Sequence, residues 1–405
     1  MFNRKIIETV ASEYDSFYLY DESVIVERTG KLKESFTEVE FLYSMKCNSN
    51  SLVTECVFRQ GLGADAASAG EVKDACNKGL AKEQIYYSAP GKTIKDIRET
   101  IDKAVLIVDS IDEIKRIDQV AKELDIKVKI GARINPDFSF DGGAGLSAKY
   151  GIDEDQFVSF LHEFDSNNIE FNGLHVHIRS QALDQDALER YYKNVLTAAE
   201  RIQKICGFKL DYLNMGSGIG IPYSEEENEI DVKVLGKYAT KQLADFKEKY
   251  PETKIMIETG RYAVGKCGIY VTKILDRKVS HGKIYLIAKN TLNGFVRPSM
   301  IKMVEHYTNG EAAPSWEPMF THNDAFQFAT LKEDAPYEKV TIVGNLCTAT
   351  DVIADDILMP RLECGDVIVI NNAGAYAAVI TPMQFSLQEK PAEKFIGLNA
   401  EIFDA

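Results

Sequence analysis

The sequence predicts an α/β chain, a closed (β/α)₈ barrel followed by a β-rich unit. Three observations predict it. Eight apolar runs end in polar or glycine-bearing turns, helix-like stretches separate them, and beyond Gly265 the texture changes to alternating β-branched and aromatic runs. Strand alternating with helix builds parallel βαβ units, and eight of these closed on each other place their reactive groups at the carboxyl ends of the strands.

In chain order, the first run, 41–50, ends in Ser44-Met45-Lys46-Cys47-Asn48, and the second, 62–68, holds Asp65. Runs 84–88 and 104–109 follow. Run 127–135 carries Arg133, 171–180 carries His177, 212–220 closes in a glycine-rich turn, and 254–261 carries Glu258 and Arg261. Between them, segments 50–60, 70–79, 110–124, 183–206 and 233–250 repeat apolar residues at helical spacing and are expected to cover the barrel. Segments 267–275, 283–288, 339–343 and 366–371 read as strands of the second unit. The stretch 298–336, which includes Trp316 and the turn-rich 309–314, has weak periodicity and reads as a long excursion of the kind that serves function. There is no internal repeat beyond the barrel's own rhythm and no low-complexity tract.

Length and charge set the class. A chain of 405 residues with 45% apolar and 27% charged residues has room for two cores. Its net charge of -15 argues against a nucleic-acid or anionic-membrane surface, both of which reward excess Lys and Arg. Seven cysteines without paired C-x-x-C spacing fit reduced thiols better than a disulfide framework. The opening residues contain no long apolar segment, so a cytoplasmic protein is the expectation.

A lone Lys or Arg after a strand is more often a solvated loop residue than a reactive one. Five titratable groups, Lys46, Asp65, Arg133, His177 and Glu258, at one face of a barrel are harder to read that way. The turn Gly216-Ser217-Gly218-Ile219-Gly220 lets backbone N–H groups approach an anion. Such a turn is often only a turn, but the loops after strands seven and eight of a barrel are the usual phosphate position. Arg261 adds a fixed cation there. A phosphate site beside a strand-end lysine points to pyridoxal phosphate, whose aldehyde condenses with the amine.

Five segments then carry a resemblance: Tyr43-Ser44-Met45-Lys46-Cys47-Asn48, Gly173-Leu174-His175-Val176-His177-Ile178-Arg179-Ser180-Gln181, Glu258-Thr259-Gly260-Arg261-Tyr262, Gly344 to Asp351 around Cys347, and Gly374-Ala375-Tyr376. In this order they resemble the alanine-racemase-fold (fold type III) decarboxylases acting on diaminopimelate, ornithine and arginine. The pattern Leu346-Cys347-Thr348-x-x-Asp351 is most similar to the branch acting on modified amino acids in siderophore and aminoglycoside biosynthesis. The resemblance implies a pyridoxal-phosphate barrel over 25–265. It further implies a modified Greek-key barrel from 1–24 and 266–405 that completes the active site across a homodimer interface.

Carried over by motif, the resemblance makes Lys46 the Schiff-base lysine and His177 the imidazole stacked on the cofactor ring. Asp65 and Arg133 orient groups near the ring. Ser180, the Gly216, Ser217, Gly218 and Gly220 loop, Arg261 and Tyr376 hold the phosphate. Glu258 faces the pyridine nitrogen; a carboxylate there keeps the ring cationic and favours loss of carbon dioxide, where racemases of this fold place an arginine. Cys347 would return a proton to the α-carbon, as a thiol with an ordinary pKa of about 8.5 can near neutrality. Arg297, Thr348, Asp351 and Tyr376 join Cys347 on the substrate side. The other cysteines, and His162, His281, His306 and His322, read as ordinary structural or surface residues. His175 reads as a half-buried strand residue, and no metal site is expected.

Departures bear on substrate. Arg179 replaces a glycine, Ser217 interrupts a glycine triplet, and Thr259 replaces a proline before Gly260-Arg261. Arg179 puts a bulky cation where backbone normally lies near the phosphate, and a phosphate or substrate contact is one reading of it. Arg297-Pro298-Ser299-Met300-Ile301 keeps the family's arginine and loses its tyrosine, and Thr348 stands where an acidic residue is usual. A site built for a second charged end would leave polar groups unpaired without them. A larger amino acid conjugate, carrier-bound forms included, therefore fits better than free diaminopimelate. The alternatives are an amino acid racemase of the same fold, a non-catalytic pyridoxal-phosphate binding protein, and a barrel enzyme that binds a sugar phosphate.

Overall fold

Strands β2 (Glu40–Ser44), β3 (Gly63–Ala66), β4 (Ile85–Tyr87), β5 (Val105–Val108), β6 (Val128–Asn135), β8 (Ile169–His175), β9 (Tyr212–Asn214) and β10 (Lys254–Thr259) form a parallel sheet that closes on itself in the computed structural model. Closure comes from β5 pairing with β6 and β10 pairing with β2. The short β7 (Ile152–Asp153) extends β6 at its carboxyl end. The structure describes residues 3–308, 325–332 and 334–405. Trp316, His322 and the 309–324 part of the expected excursion lie outside the described residues.

The barrel interior is filled rather than hollow. Leu42, Tyr86, Ile107, Tyr212 and Met256 pack together there. The Tyr212 ring lies against Gly131 and Gly173; a Cβ at Gly173 would sit 2.0 Å from its Cζ, so these two strand glycines make room for one large ring. The covering helices begin at side-chain caps: Asn50 for α3 (Ser51–Arg59), Ser68 for α4 (Ala69–Asn77), Ser110 for α6 (Ile111–Leu124), Asp184 for α8 (Gln185–Cys206) and Asp231 for α9 (Val232–Lys249). In α8 Leu188, Tyr191, Val195, Ala199 and Ile202 recur at helical spacing on the buried face, and Gly207 ends the helix at φ 73°. Helices α5 (Ile94–Thr100) and α7 (Glu154–Glu163) complete the layer, and α10 (Arg261–Val264) follows β10 directly.

The second sheet runs in the order β15 (Val352–Pro360), β14 (Tyr337–Gly344), β12 (Lys283–Ala288), β11 (Gly268–Ser280), β1 (Ser16–Asp21), β17 (Ala392–Ile396), β18 (Ile402–Asp404). Strand β16 (Val367–Ile370) also pairs with β11, and β13 (Phe328–Thr330) with β16. The first strand of the chain thus lies at the centre of a sheet made otherwise of its last third, parallel to β17 and antiparallel to β11. Helix α1 (Arg4–Glu13) places Ile7 and Val10 against this sheet. Helix α2 (Glu22–Ser35) follows β1 and buries Arg28, whose Nε donates to the Tyr262 carbonyl at 2.5 Å. The start of the expected excursion is instead helical, as α11 (Val296–Thr308), with Pro298 in the first turn where its missing N–H is not needed. Among the described residues no helix is long and apolar enough to cross a membrane.

Candidate active site

The carboxyl ends of the strands deliver the site. Strand register sets Ser44 beside Asp65 and His175 beside Asn214, and the Glu258 N–H donates to the Gly216 carbonyl at 2.8 Å. A narrow cleft opens here between Ser44, Lys46, His177, Ser180, Arg261 and Tyr376, with Glu258 in its wall.

Lys46 occupies the 3₁₀ turn after β2, and its Nζ lies 2.8 Å from Asp65 Oδ2. Asp65 is fully buried and receives Ser44 Oγ at 2.9 Å and Ser88 Oγ at 2.7 Å, so its orientation is set before any ligand arrives. Desolvation lowers the Lys46 pKa, while Asp65, Tyr376 and Glu258 raise it; the anions win and hold it above the ordinary lysine value.

His177 Nδ1 accepts the Ser217 backbone N–H at 3.1 Å, which leaves the ring proton on Nε2, 3.2 Å from Ser180 Oγ. Arg133 donates Nη2 to the His177 carbonyl at 3.1 Å and stacks on the Tyr150 ring at 4.5 Å. It braces the strand end that carries His177. Glu258 is 3% exposed; Asn214 Nδ2 donates to its Oε1 at 2.9 Å, and His175 Nε2 lies 3.0 Å from the same oxygen. Burial would raise its pKa, but His175, then His177 and Lys46, hold it well below the usual carboxylate range. Glu258 is therefore an anion with one oxygen already engaged inside the barrel.

The glycine turn contributes Ser217 and Ile219 to the cleft. Gly216 has φ 66°, and a Cβ there would come 2.4 Å from the Val176 carbonyl oxygen, so only glycine permits the close approach of this loop to β8. Arg261 stands on α10 with its guanidinium 4.7 Å from the Tyr376 ring centre. The Tyr376 backbone N–H donates to the Cys47 carbonyl at 2.7 Å, which ties the C-terminal segment to the lysine turn.

Other expected site residues stand elsewhere. Arg179 pairs with Asp141 at 2.5 Å and is not among the residues that line the cleft. Asp351 is buried and accepts from the Leu292 and Leu346 N–H groups at 2.9 and 3.0 Å, which ties the 344–351 loop to Leu292; it does not line the cleft of its own chain. Thr348 caps the same loop by a 2.9 Å contact with Thr350. Cys347, on that loop, is exposed and does not line the cleft of its own chain. Arg297 is fully buried against Tyr223. His175, Asn214 and Tyr223 were missed as site-building residues. The strand register that sets His175 beside Asn214 reveals those two, and the contacts of its hydroxyl with Arg261 and Arg297 reveal Tyr223.

Residues 22–265 match the model of the family described as pyridoxal-dependent decarboxylase, pyridoxal binding domain. The chain belongs to the pyridoxal-dependent decarboxylases. It is 28% identical to the L-glutamyl-[BtrI acyl-carrier protein] decarboxylase of Niallia circulans, with 93% of this chain and 87% of that one covered. It is 27% identical to a diaminopimelate decarboxylase of Methanothermobacter thermautotrophicus, covering 96% and 88%. The crystal structure of diaminopimelate decarboxylase from Helicobacter pylori complexed with L-lysine superposes with a TM-score of 0.83 at 26% identity, over 98% of this chain and 95% of that one. The decarboxylase thus has the expected fold and is a lyase that uses pyridoxal phosphate to remove an amino acid carboxylate. Its own residues fit the cofactor: an amine at a strand end, a buried carboxylate, a glycine cradle with no room for a Cβ, and a buried guanidinium beside that cradle.

Proposed function

We propose that this decarboxylase acts on an amino acid presented as a larger conjugate, carrier-bound forms included, and that it works in the cytoplasm as a homodimer with shared active sites. The burial of Arg297 carries the substrate reading. The residue is 0% exposed, its Nη1 donates to Tyr223 at 3.0 Å, and Tyr223 and Phe326 rings lie 4.8 and 5.1 Å from its guanidinium carbon. Fully buried and absent from the cleft lining, this guanidinium is not placed to meet the far carboxylate of a free diacid. Ile301 and Thr348, where the family has a tyrosine and an acid, subtract two further polar contacts. The Niallia circulans relative is by name an enzyme for a carrier-bound glutamyl group, which agrees with this reading.

Lys46 would meet the cofactor aldehyde, His177 would contact the ring, and Ser180, Arg261, Tyr376 and the 216–220 backbone would hold the phosphate. When bound, pyridoxal phosphate supplies the aldehyde that takes the substrate amine and the ring that stores the electron pair left by carbon dioxide. Asp65, 2.8 Å from the Lys46 amine, holds that amine aimed into the cleft. Glu258, buried and fixed by Asn214, would supply the negative charge that keeps the ring nitrogen of a bound cofactor protonated. Cys347 donates the proton that closes the cycle. Being exposed and outside its own cleft, it acts from a second copy of the chain, on a loop held in shape by Asp351.

Carbon dioxide release measured across free, citrylated and carrier-bound amino acids tests the reading. A conjugate is expected to exceed free diaminopimelate in kcat/KM by at least about 100-fold, the scale of unpaired polar groups in a buried site. The reverse order would overturn the substrate assignment.

A further inference from the structure

The turn 216–221 after β9 commits most of its backbone N–H groups to its own chain. The Gly216 N–H donates to Asn214 Oδ1 at 2.9 Å and the Ser217 N–H to His177 Nδ1 at 3.1 Å. The Gly220 N–H donates to the Ala182 carbonyl at 3.0 Å, and the Ile221 N–H to Gln181 Oε1 at 3.2 Å. Within this turn, the N–H groups of Gly218 and Ile219 are left without an acceptor among the described residues. Ser217 and Ile219 line the cleft, so the two unused donors belong to the stretch that faces it.

Gln181 holds that stretch in shape. Its residue is 3% exposed; Nε2 donates to the Ile221 carbonyl at 2.6 Å while Oε1 accepts the Ile221 N–H, so one side-chain amide closes on both polar groups of a single residue. Its chain neighbour completes the ladder, as the Ala182 N–H donates to the Gly218 carbonyl at 2.7 Å. The fit is tight. A Cβ at Gly220 would lie 2.9 Å from Gln181 Oε1 and from the Gln181 carbonyl carbon, so the turn can back onto Gln181 only with a glycine there. Gln181 itself has φ 57°, a left-handed conformation that a residue with a Cβ keeps only where its surroundings impose it. Although Gln181 lines the cleft, its amide is committed to Ile221.

We propose that Gln181 is a positioning residue for the cofactor's phosphate: its amide fixes the 218–221 backbone and keeps the Gly218 and Ile219 N–H groups available together to one anion. The inference rests on the proposed function, in which this turn holds the phosphate, and adds which donors do so and what aligns them. Adjacent N–H groups bind an anion well only when their directions are set beforehand. Peptide planarity sets them here. The Ile219 N–H shares a trans peptide unit with the Gly218 carbonyl, so pinning that carbonyl to Ala182 turns the N–H the opposite way. The next two peptide units are pinned by the Gly220 N–H on Ala182 and the Ile221 N–H on Gln181. A flip of any of these units would break a hydrogen bond to the 181–182 segment.

The test titrates pyridoxal phosphate and pyridoxal separately into the full-length protein stripped of cofactor, following the visible absorbance of the lysine-bound aldehyde. Both compounds offer Lys46 an aldehyde and only one carries a phosphate, so the ratio of their dissociation constants reads the turn. Gln181→Met keeps the length of the side chain and removes its donor and acceptor. Gln181→Gly keeps the left-handed backbone without strain and guards against a methionine variant that fails to fold. Either variant is expected to bind pyridoxal phosphate about tenfold more weakly, the scale of lost buried hydrogen bonds, with pyridoxal binding changed less than about twofold. A wild type that prefers pyridoxal phosphate, with variants that keep its ratio or lose both compounds alike, would overturn the role of Gln181 and leave the phosphate assignment standing. A wild type that binds the two compounds equally would remove the phosphate assignment and this inference with it.

Discussion

Lys46→Ala is expected to yield a folded protein that lacks the visible absorbance of lysine-bound cofactor and releases carbon dioxide more than roughly 10⁴-fold slower, between the loss of one acid–base group and the loss of a covalent nucleophile. The Lys46 side chain is 43% exposed and its amine contacts the prepaid Asp65–Ser44–Ser88 cluster rather than the apolar core. Its removal therefore costs little packing. It does strip a buried aspartate of its cation, so a modest loss of stability should accompany the loss of activity. Absorbance, carbon dioxide release and thermal unfolding, measured on the same preparation, separate these effects. Wild-type turnover by the alanine variant would be incompatible with an essential amine at this strand end.

Glu258→Gln is the second large effect. Glutamine keeps the shape and an oxygen for Asn214 but removes the charge that the buried site presents. The expected outcome is a fall in kcat of about 10²–10³-fold with KM little changed, because the lost interaction matters most as the carbanion develops. A pH signature should follow. The folded-state pKa of Glu258 is depressed, so its contribution to stability is present above the unfolded carboxylate value of about 4.3 and is lost as pH falls through the lower folded value. Urea midpoints followed from neutral to acid pH should thus decline more steeply in the wild type than in Glu258→Gln below that value. Equal slopes would mean that His175 and Lys46 do not hold the carboxylate in its charged form.

The eight barrel strands were legible because each is an apolar run buried on both sides and closed by a turn, and the long helices because their apolar spacing is regular. Helix α2 was not: Val24, Ile25 and Val26 sit together as in a strand, and Gly30 and the buried Arg28 break the apolar stripe. Strand β1 lay beyond local reading, since its partners β11 and β17 are hundreds of residues away. Helix α11 was hidden by Pro298, which reads as a breaker until it is seen in a first turn.

The site divides in the same way. Lys46, Asp65, His177, Glu258 and Arg261 carry chemistry in their side chains and sit at strand ends, so the pattern marks them. Asn214 and His175 meet Glu258 through register, and the Tyr223 hydroxyl meets Arg261 and Arg297, which stand 36 residues apart in the chain. Such roles depend on which side chains meet. Asp351 shows that a motif does not tell what its acid holds: one oxygen accepts from Leu292 and the other from Leu346, which ties the 344–351 loop to a segment 59 residues earlier.

The central claim is that Lys46 is the residue through which the cofactor is covalently held. Borohydride reduction of the holoenzyme followed by peptide mass spectrometry tests it most directly. The account predicts one pyridoxyl-phosphate adduct per chain, on the peptide that carries Lys46. An adduct on another lysine, with Lys46 recovered unmodified, would contradict it.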